Sequence, residues 1–388
     1  MVLSAEWPSV PISELCELII DCVNKTAKVV DGPTPYKMIR TTNVRDGWVD
    51  TINVRYVEED TYKKWTRRGE PRNGDVILTR EAPLGEVGLL RDARGIFLGQ
   101  RLVMYRANPT KLDNRFLLYS LLGHDLQAQI RAFGSGSTVE HMRVPDCEKL
   151  ILQLPPLETQ QKIGSILSAY DDLIENNTRR IKILEEMARM IYSEWFVNFR
   201  FPGHEKVKMI DSPLGKIPEG WEVVTVEQVI RRMSAGKKYD NKTVSPTGTV
   251  PVLDQGKSGI IGYHNDEPGV IASEEDPIIV FANHTCYQHL IQFPFSAIQN
   301  VLPFLPSKEN QRNIYWLHWA TKDLIQFNDY KGHWPEFSSK ELLLPDTKTC
   351  DSFGAFMRPI VKFIYKIELK NQNLRQTRDL LLPKLVAE

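Results

Sequence analysis

Between residues 158 and 197 the chain sets down its apolar side chains in two columns, each repeating every seven residues. One column is Ile163, Tyr170, Asn177, Leu184 and Ile191. The other, four residues further on each time, is Leu167, Ile174, Ile181, Ala188 and Trp195. No proline interrupts the stretch. A strict period of 3.5 predicts one long helix with a coiled-coil seam, rather than the broader apolar stripe of a helix lying on a globular core.

The end of the chain repeats the pattern. Phe353, Ile360, Ile367, Leu374 and Leu381 form one column, and Met357, Ile364, Asn371, Arg378 and Leu385 the other. A shift of 190 residues carries Ile163 onto Phe353 and Leu184 onto Leu374. The same shift carries Leu154 and Pro155 onto Leu344 and Pro345, so each helix follows a short apolar run that ends in proline. In front of each helix, β-like runs alternate with Gly and Pro turns: VILTR, VGLL and RLVMYRA in the first half, IIVFA and LIQFPF in the second. The two halves also open alike, Trp7, Val10, Ile12 and Leu15 matching Trp221, Val224, Val226 and Val229.

Internal repetition of this kind defines architecture before any single motif does. The expected plan is a globule over residues 1–153, a helix over 154–199, and a polar connector over 200–217. A second globule over 218–344 and a second helix over 345–388 follow. The fold class is α+β: two α/β domains joined by two long antiparallel coiled-coil helices. Antiparallel pairing layers the first column of one helix on the second column of the other. It therefore predicts that Asn177 faces Asn371, where each amide meets a partner and slipped registers are penalised.

Composition narrows the class without naming it. The chain has 388 residues, 42% of them hydrophobic, enough for more than one core. Its longest apolar run, residues 277–282, falls far short of the roughly 18 residues of a membrane helix. No basic and apolar leader is visible at the N-terminus, and five scattered cysteines argue against a disulfide framework, so a cytoplasmic protein is expected. Net charge is zero. Residues 1–150 carry 21 Lys and Arg against 20 Asp and Glu, and residues 218–345 carry 11 against 15. Only local clusters can therefore serve phosphate binding. The strongest is KKWTRRGEPR, with Lys63, Lys64, Arg67, Arg68 and Arg72. The second is RRMSAGKK, with Arg231, Arg232, Lys237 and Lys238.

Catalytic motifs fail one after another. GKSG at residues 256–259 has Pro251 where a phosphate-binding loop requires glycine. GSGSTV at 134–139 lacks a third glycine and a βαβ setting. LPPLET carries Leu154 where amino-methyltransferases hold a polar residue before their paired prolines. His284, Cys286 and His289 are three potential ligands without a distant Cys pair, so no metal site is expected. No nucleophile elbow or Ser/His/Asp set is present.

Longer phrases carry a resemblance that covers nearly the whole chain. GDVILTREAPLGEVG (74–88), LGQRLVMYRAN (98–108), PVLDQGKSGIIGY (251–263) and PIIVFANHTC (277–286) resemble the recognition domains of type I restriction-modification specificity subunits. LPPLETQQKIGSIL, WFVNFRFPGHE, SPLGKIPEGWE and LRQTRDLLLPKL are similar to the regions that family shares. The resemblance implies two target-recognition domains, each reading half of a split, asymmetric site in double-stranded DNA. The long helices would be the spacer between them, with Ile163, Leu167, Ile174, Asn177, Ile181 and Leu184 facing Phe353, Ile360, Ile364, Ile367, Asn371 and Leu374. It also implies two modification subunits that methylate adenine with S-adenosylmethionine, and motor-nuclease subunits that use ATP and Mg. This chain would have no catalytic residues and hold no cofactor or metal, and it would bind no membrane.

Recognition domains vary too widely for the family to transfer base-contacting residues, so physical expectation stands in. Major-groove reading favours Arg, Lys, Asn, Gln and small hydroxyls on loops. In the first domain this selects Thr79, Arg80, Glu81, Gln100, Arg101, Ser135, Ser137, Thr138 and His141, with Lys63, Lys64, Arg67 and Arg68 toward phosphates. In the second it selects Lys237, Lys238, Tyr239, Asn283, His284, Lys331, His333 and Trp334.

Overall fold

A computed structural model describes residues 7–134, 140–256, 259–327 and 332–386. The chain divides into two compact units, Met1–Asn176 with Asn371–Glu388, and Asn177–Lys370. The dividing lines fall inside the two long helices, not at their ends, because part of each helix packs on each globule.

The first unit is built on a six-stranded sheet whose central strand, Val76–Arg80, is buried throughout. It pairs antiparallel with Leu102–Ala107 on one side and Leu84–Leu89 on the other, and Cys16–Asp21 extends the sheet beyond Leu102–Ala107. The second unit repeats this order. Ile278–Ala282 lies between Val301–Pro306 and Gln288–Ile291, and Ile230–Arg232 extends the sheet beyond Val301–Pro306. In both units the strand just before the repeated one belongs to a second sheet through parallel pairing: Ile96–Leu98 with Lys37–Ile39, and Ser296–Ile298 with Val250–Leu253. A third shared feature is the strand pair that closes each unit beside its helix, Ser9–Pro11 with Ile151–Gln153 and Glu222–Thr225 with Glu341–Leu344.

The heptads form the long helices Leu157–Tyr192 and Thr347–Val386, the first ending in a wide turn over Ser193–Val197. Each enters its globule at a glycine. A Cβ on Gly164 would lie 2.8 Å from Asp113 Oδ1, and one on Gly354 would lie 2.1 Å from the Asn313 side chain. Asp113 and Asn313 are the N-caps of the buried helices Asn114–Leu122 and Ile314–Thr321. Glycine at the crossing lets the cap and the long helix approach closely.

Within the second unit the helices run antiparallel. Tyr192, Trp195 and Phe196 surround Phe353, with ring centroids 6.1, 5.7 and 5.0 Å away, whereas Glu185, earlier on the first helix, lies within electrostatic reach of Glu368, later on the second. Asn177 and Asn371 are both buried. The expected seam is corrected at its ends. Ile163 and Leu167 belong to the core of the first globule with Phe116 and Tyr105, and Phe353 belongs to that of the second with Trp221 and Trp316. The first turns of each helix still lie inside a domain, so their apolar positions fill that domain before any partner helix is reached. The segment expected to be a plain connector is also ordered by packing. Met209–Ser212 and Gly215–Pro218 form a hairpin, Ile217 is buried, and Phe201 stacks on Trp221 at 5.4 Å.

Candidate nucleic-acid interface

Each unit gathers three segments at one end of its central strand. In the first unit, Arg80 N donates to Arg101 O at 2.8 Å and Met142 N donates to Arg80 O at 3.0 Å. In the second, Asn283 N donates to Asn300 O at 2.9 Å and His333 N donates to Asn283 O at 2.9 Å. These are the same two main-chain bonds made at equivalent positions. They tie together the end of the central strand, the corner before the next strand, and the segment leading to the long helix. Arg101 and Asn300 both have left-handed backbones, with φ of +71° and +68°. That conformation is uncommon for residues other than glycine and suits asparagine better than arginine.

On the first unit the exposed groups converge on Glu81. Its Oε1 lies 3.3 Å from Arg101 Nη2 and its Oε2 lies 3.3 Å from His141 Nδ1. The Arg101 side chain remains 51% exposed, and Gln100 beside it is exposed. The basic run lies at the same end of the sheet. Arg68 bonds the carbonyl and carboxylate of Asp21, which pairs with Val103 just beyond the corner. Lys63, Lys64 and Arg67 are exposed, Lys63 pairing with Glu59 at 2.7 Å and Lys64 lying over Trp65.

Two expected contacts on this unit are corrected. Thr79 is fully buried, and its hydroxyl accepts a hydrogen bond from Glu86 N at 2.9 Å. Arg80 is 8% exposed, and its Nη1 donates to Met142 O at 3.0 Å, so its guanidinium fastens the third segment from inside. The cause is a central strand buried on both faces, which leaves its polar side chains only internal partners. Ser135, Ser137 and Thr138 lie outside the described residues.

On the second unit, Gln255 braces the loop after the central strand. Its carboxamide oxygen accepts from His284 N at 2.8 Å, its nitrogen lies 3.4 Å from His284 Nδ1, and its carbonyl accepts from the Thr285 hydroxyl. Asn283 does here what Arg80 does in the first unit: its Oδ1 accepts from Trp334 N at 2.7 Å. Trp334 is half-buried against Phe281, Phe304 and Phe337, with the Arg232 guanidinium 4.9 Å from its ring centre. Lys238 is exposed at its surface side; partial burial and then the nearby Arg232 charge hold its pKa below the usual lysine value. Lys237 is exposed and pairs with Asp266 at 2.8 Å.

Here too some expectations fail. His333 is 1% exposed, and Tyr239 is buried, stacked on His264 at 4.2 Å with its hydroxyl donating to Asp266. Asn283 spends its main chain and its Oδ1 internally. All three are held by the packing around their own loops. Lys331 lies outside the described residues. Among the described residues no three His, Cys, Asp or Glu side chains form a metal-binding group, and the His289 Nε2 is buried. Gln299, Asn300 and Gln255 were not anticipated. The signal for the first two was present in the repeat, since LGQRLVMY and AIQNVLPF align at a shift of 199.

Residues 4–186 match the family described as the type I restriction modification DNA specificity domain. Over 94% of its length the chain is 22% identical to the MjaIX type I restriction enzyme specificity subunit of Methanocaldococcus jannaschii, covering 91% of that protein. It is 28% identical over 71% of its length to a second such subunit from that organism, MjaX, which is named as putative. The chain thus carries a type I restriction-modification DNA specificity domain over residues 4–186 and is similar along most of its length to specificity subunits. The crystal structure of a type I restriction-modification S subunit from M. genitalium shares the fold of this chain, with a TM-score of 0.60 and 16% identity, over 100% of this chain and 98% of that one.

Proposed function

We propose that this specificity subunit reads a bipartite, asymmetric site in double-stranded DNA, one half through each unit, and carries out no chemistry itself. The observation that carries the reading is the duplicated three-segment end. The same main-chain bonds present Glu81, Gln100, Arg101 and His141 in one unit, and His284, Gln299 and Asn300 in the other. Equal frames whose side chains differ, Glu81 against His284 and Arg101 against Asn300, are what two different half-sites require. Lysines and arginines at the same ends, Lys63, Lys64, Arg67 and Arg68 in one unit and Arg232 and Lys238 in the other, supply phosphate contacts that neutral overall charge does not.

Adenine methylation falls to two modification subunits using S-adenosylmethionine, and restriction to motor-nuclease subunits using ATP and Mg. Their docking is favoured by apolar side chains left exposed on the long helices, among them Ile183, Met187 and Met190 on the first and Phe356 and Phe363 on the second. The long helices set the number of base pairs between half-sites. None of the helices formed by the described residues is long and apolar enough to cross a membrane, which suits a protein acting on DNA in the cytoplasm. Mapping methylated adenines in host DNA tests the proposal. Two unlike half-sites at a fixed spacing, lost on deletion of this chain, are expected. A scaffold that binds only proteins would leave the purified subunit without DNA affinity that falls steeply with salt.

A further inference from the structure

At the left-handed corner before the repeated strand the two units share a backbone conformation and differ in a polar side chain of reading type. In the first unit it is Arg101, in the second Asn300. Both are fastened by a main-chain bond from the end of the central strand, so the aim of the side chain is set by the frame and not by its own identity. A left-handed backbone is costly for arginine, and such strain persists where the surroundings impose it. Arg101 also has a buttress. One edge of its guanidinium is held by Glu81, whose other oxygen faces His141, and the side chain is still half exposed. A guanidinium has five donors in a planar fork, so pinning one edge leaves another free to meet paired acceptors.

We propose that this corner is a base-reading position in both units, with Arg101 contacting a guanine in the first half-site and Asn300 an adenine in the second. Arginine matches the O6 and N7 acceptors of guanine in the major groove, and asparagine matches the N6 donor and N7 acceptor of adenine. Glu81 is a positioning residue. It orients Arg101 and, being an anion, repels phosphate, so the fork turns toward base edges. The inference rests on the reading of this chain as a DNA-binding subunit.

The test uses the full chain assembled with its two modification subunits. A duplex library randomised through both half-sites is methylated, and the products are sequenced. The wild type should require one guanine in the first half-site that Arg101→Gln no longer requires, with discrimination there falling on the order of ten- to a hundredfold and the second half-site unchanged. Arg101→Asn should move the preference at that base pair toward adenine. Glu81→Gln should relax the same position while affinity for unrelated DNA holds or rises. Asn300→Ala should relax a single adenine in the second half-site. Melting curves accompany each variant, and Arg101→Met, which keeps an unbranched side chain without donors, should lose the preference without loss of stability.

An unchanged site profile for Arg101→Gln overturns the proposal. So does a uniform loss of affinity with a salt dependence shallower by about one ion, which marks a phosphate contact. A preference kept by Arg101→Met overturns it also. If the wild-type assembly shows no site preference at all, the reading of the chain as a DNA-recognition subunit fails, and that result is distinct from the others.

Discussion

Arg378 Nη1 lies 2.6 Å from Asp171 Oδ1, joining the two long helices inside the first unit. The other carboxylate oxygen of Asp171 accepts from the Tyr119 hydroxyl, also at 2.6 Å. Tyr119 stands on a buried helix of the globule, so three elements meet on one carboxylate that is almost wholly removed from water. Burial, and then that carboxylate, push the Tyr119 phenol well above its usual pKa. Truncating one partner of such a site leaves an uncompensated charge, at a cost of about 3–5 kcal/mol, while removing both charges together costs far less. Arg378→Met should therefore lower the unfolding midpoint sharply, and Asp171→Asn with Arg378→Met should recover most of the loss. Denaturant melts of the four proteins in a double-mutant cycle give the coupling. Simple additivity would mean that the pair fixes nothing.

Gly354→Ala should destabilise the second unit through the cap it displaces. The new methyl group would meet the Asn313 side chain at 2.1 Å, and Asn313 would have to leave Tyr315 N, which it now accepts from at 3.1 Å. Loss of an N-cap costs about 1 kcal/mol, partly offset by alanine's better helix propensity. Asn313→Gly removes the obstructing group and itself costs only a few tenths of a kcal/mol at an N-cap. The double variant should thus melt above Gly354→Ala alone. If it melts lower, the crowding at the cap is not the cause.

Acid should weaken the second unit through two histidines, in a pH range where the Glu368 carboxyl, raised by burial and then by Glu185 to about 7, is protonated in the folded chain and works in the opposite direction. His318 is buried, its Nδ1 lies 3.2 Å from Gln288 Nε2, and burial followed by the Lys322 charge holds its pKa well below the usual histidine value. His289 is displaced in the same direction for the same reasons. A lowered folded-state pKa means that the unfolded chain takes up the proton first. Stability is therefore full above the unfolded value of about 6.5 and declines as pH falls through it, by up to about 1.4 kcal/mol per pH unit for each such histidine. His318→Asn keeps an acceptor toward Gln288 and cannot be protonated, so it should flatten this part of the profile. Urea melts between about pH 7.5 and 5.5 measure it.

Exchanging residues 1–150 for the first segment of another family member should change one half-site and leave the other intact. The ground is the separate core in each unit and the separate set of fastened loops on it. Methylation mapping reads the result. Simultaneous change in both half-sites would show that the units do not read independently.

Much of the architecture was legible because its signals are local. Two seven-residue columns, the Leu-Pro entries at 154–155 and 344–345, and the matching openings at Trp7 and Trp221 mark helices, helix starts and a duplicated plan without reference to any distant contact. Side-chain exposure was not legible in the same way. VILTR and IIVFA lie on strands buried on both faces, where alternation no longer reports an outer face, so Thr79 and Arg80 read as surface groups although Glu86 N and Met142 O occupy them. Tyr239 and His333 misled for the converse reason, since polar tips say nothing of the cavity in which the ring is lodged. Asn300 was missed because it carries no charge and sits in no cluster. Its importance appears only when its backbone is seen to coincide in conformation and bonding with that of Arg101.

The fastening of the two corners has an evolutionary consequence. The bonds from Arg80 N to Arg101 O and from Asn283 N to Asn300 O run main chain to main chain, and main chain is common to all residues. Nothing in that fastening selects the side chain displayed above it. A lineage pressed to recognise a new address can therefore alter the letter without rebuilding the frame that holds it. Arginine in one unit and asparagine in the other are two letters already set in one typeface. Residues that tolerate a left-handed backbone, asparagine, aspartate and histidine among them, are the alphabet most readily available to the next variant.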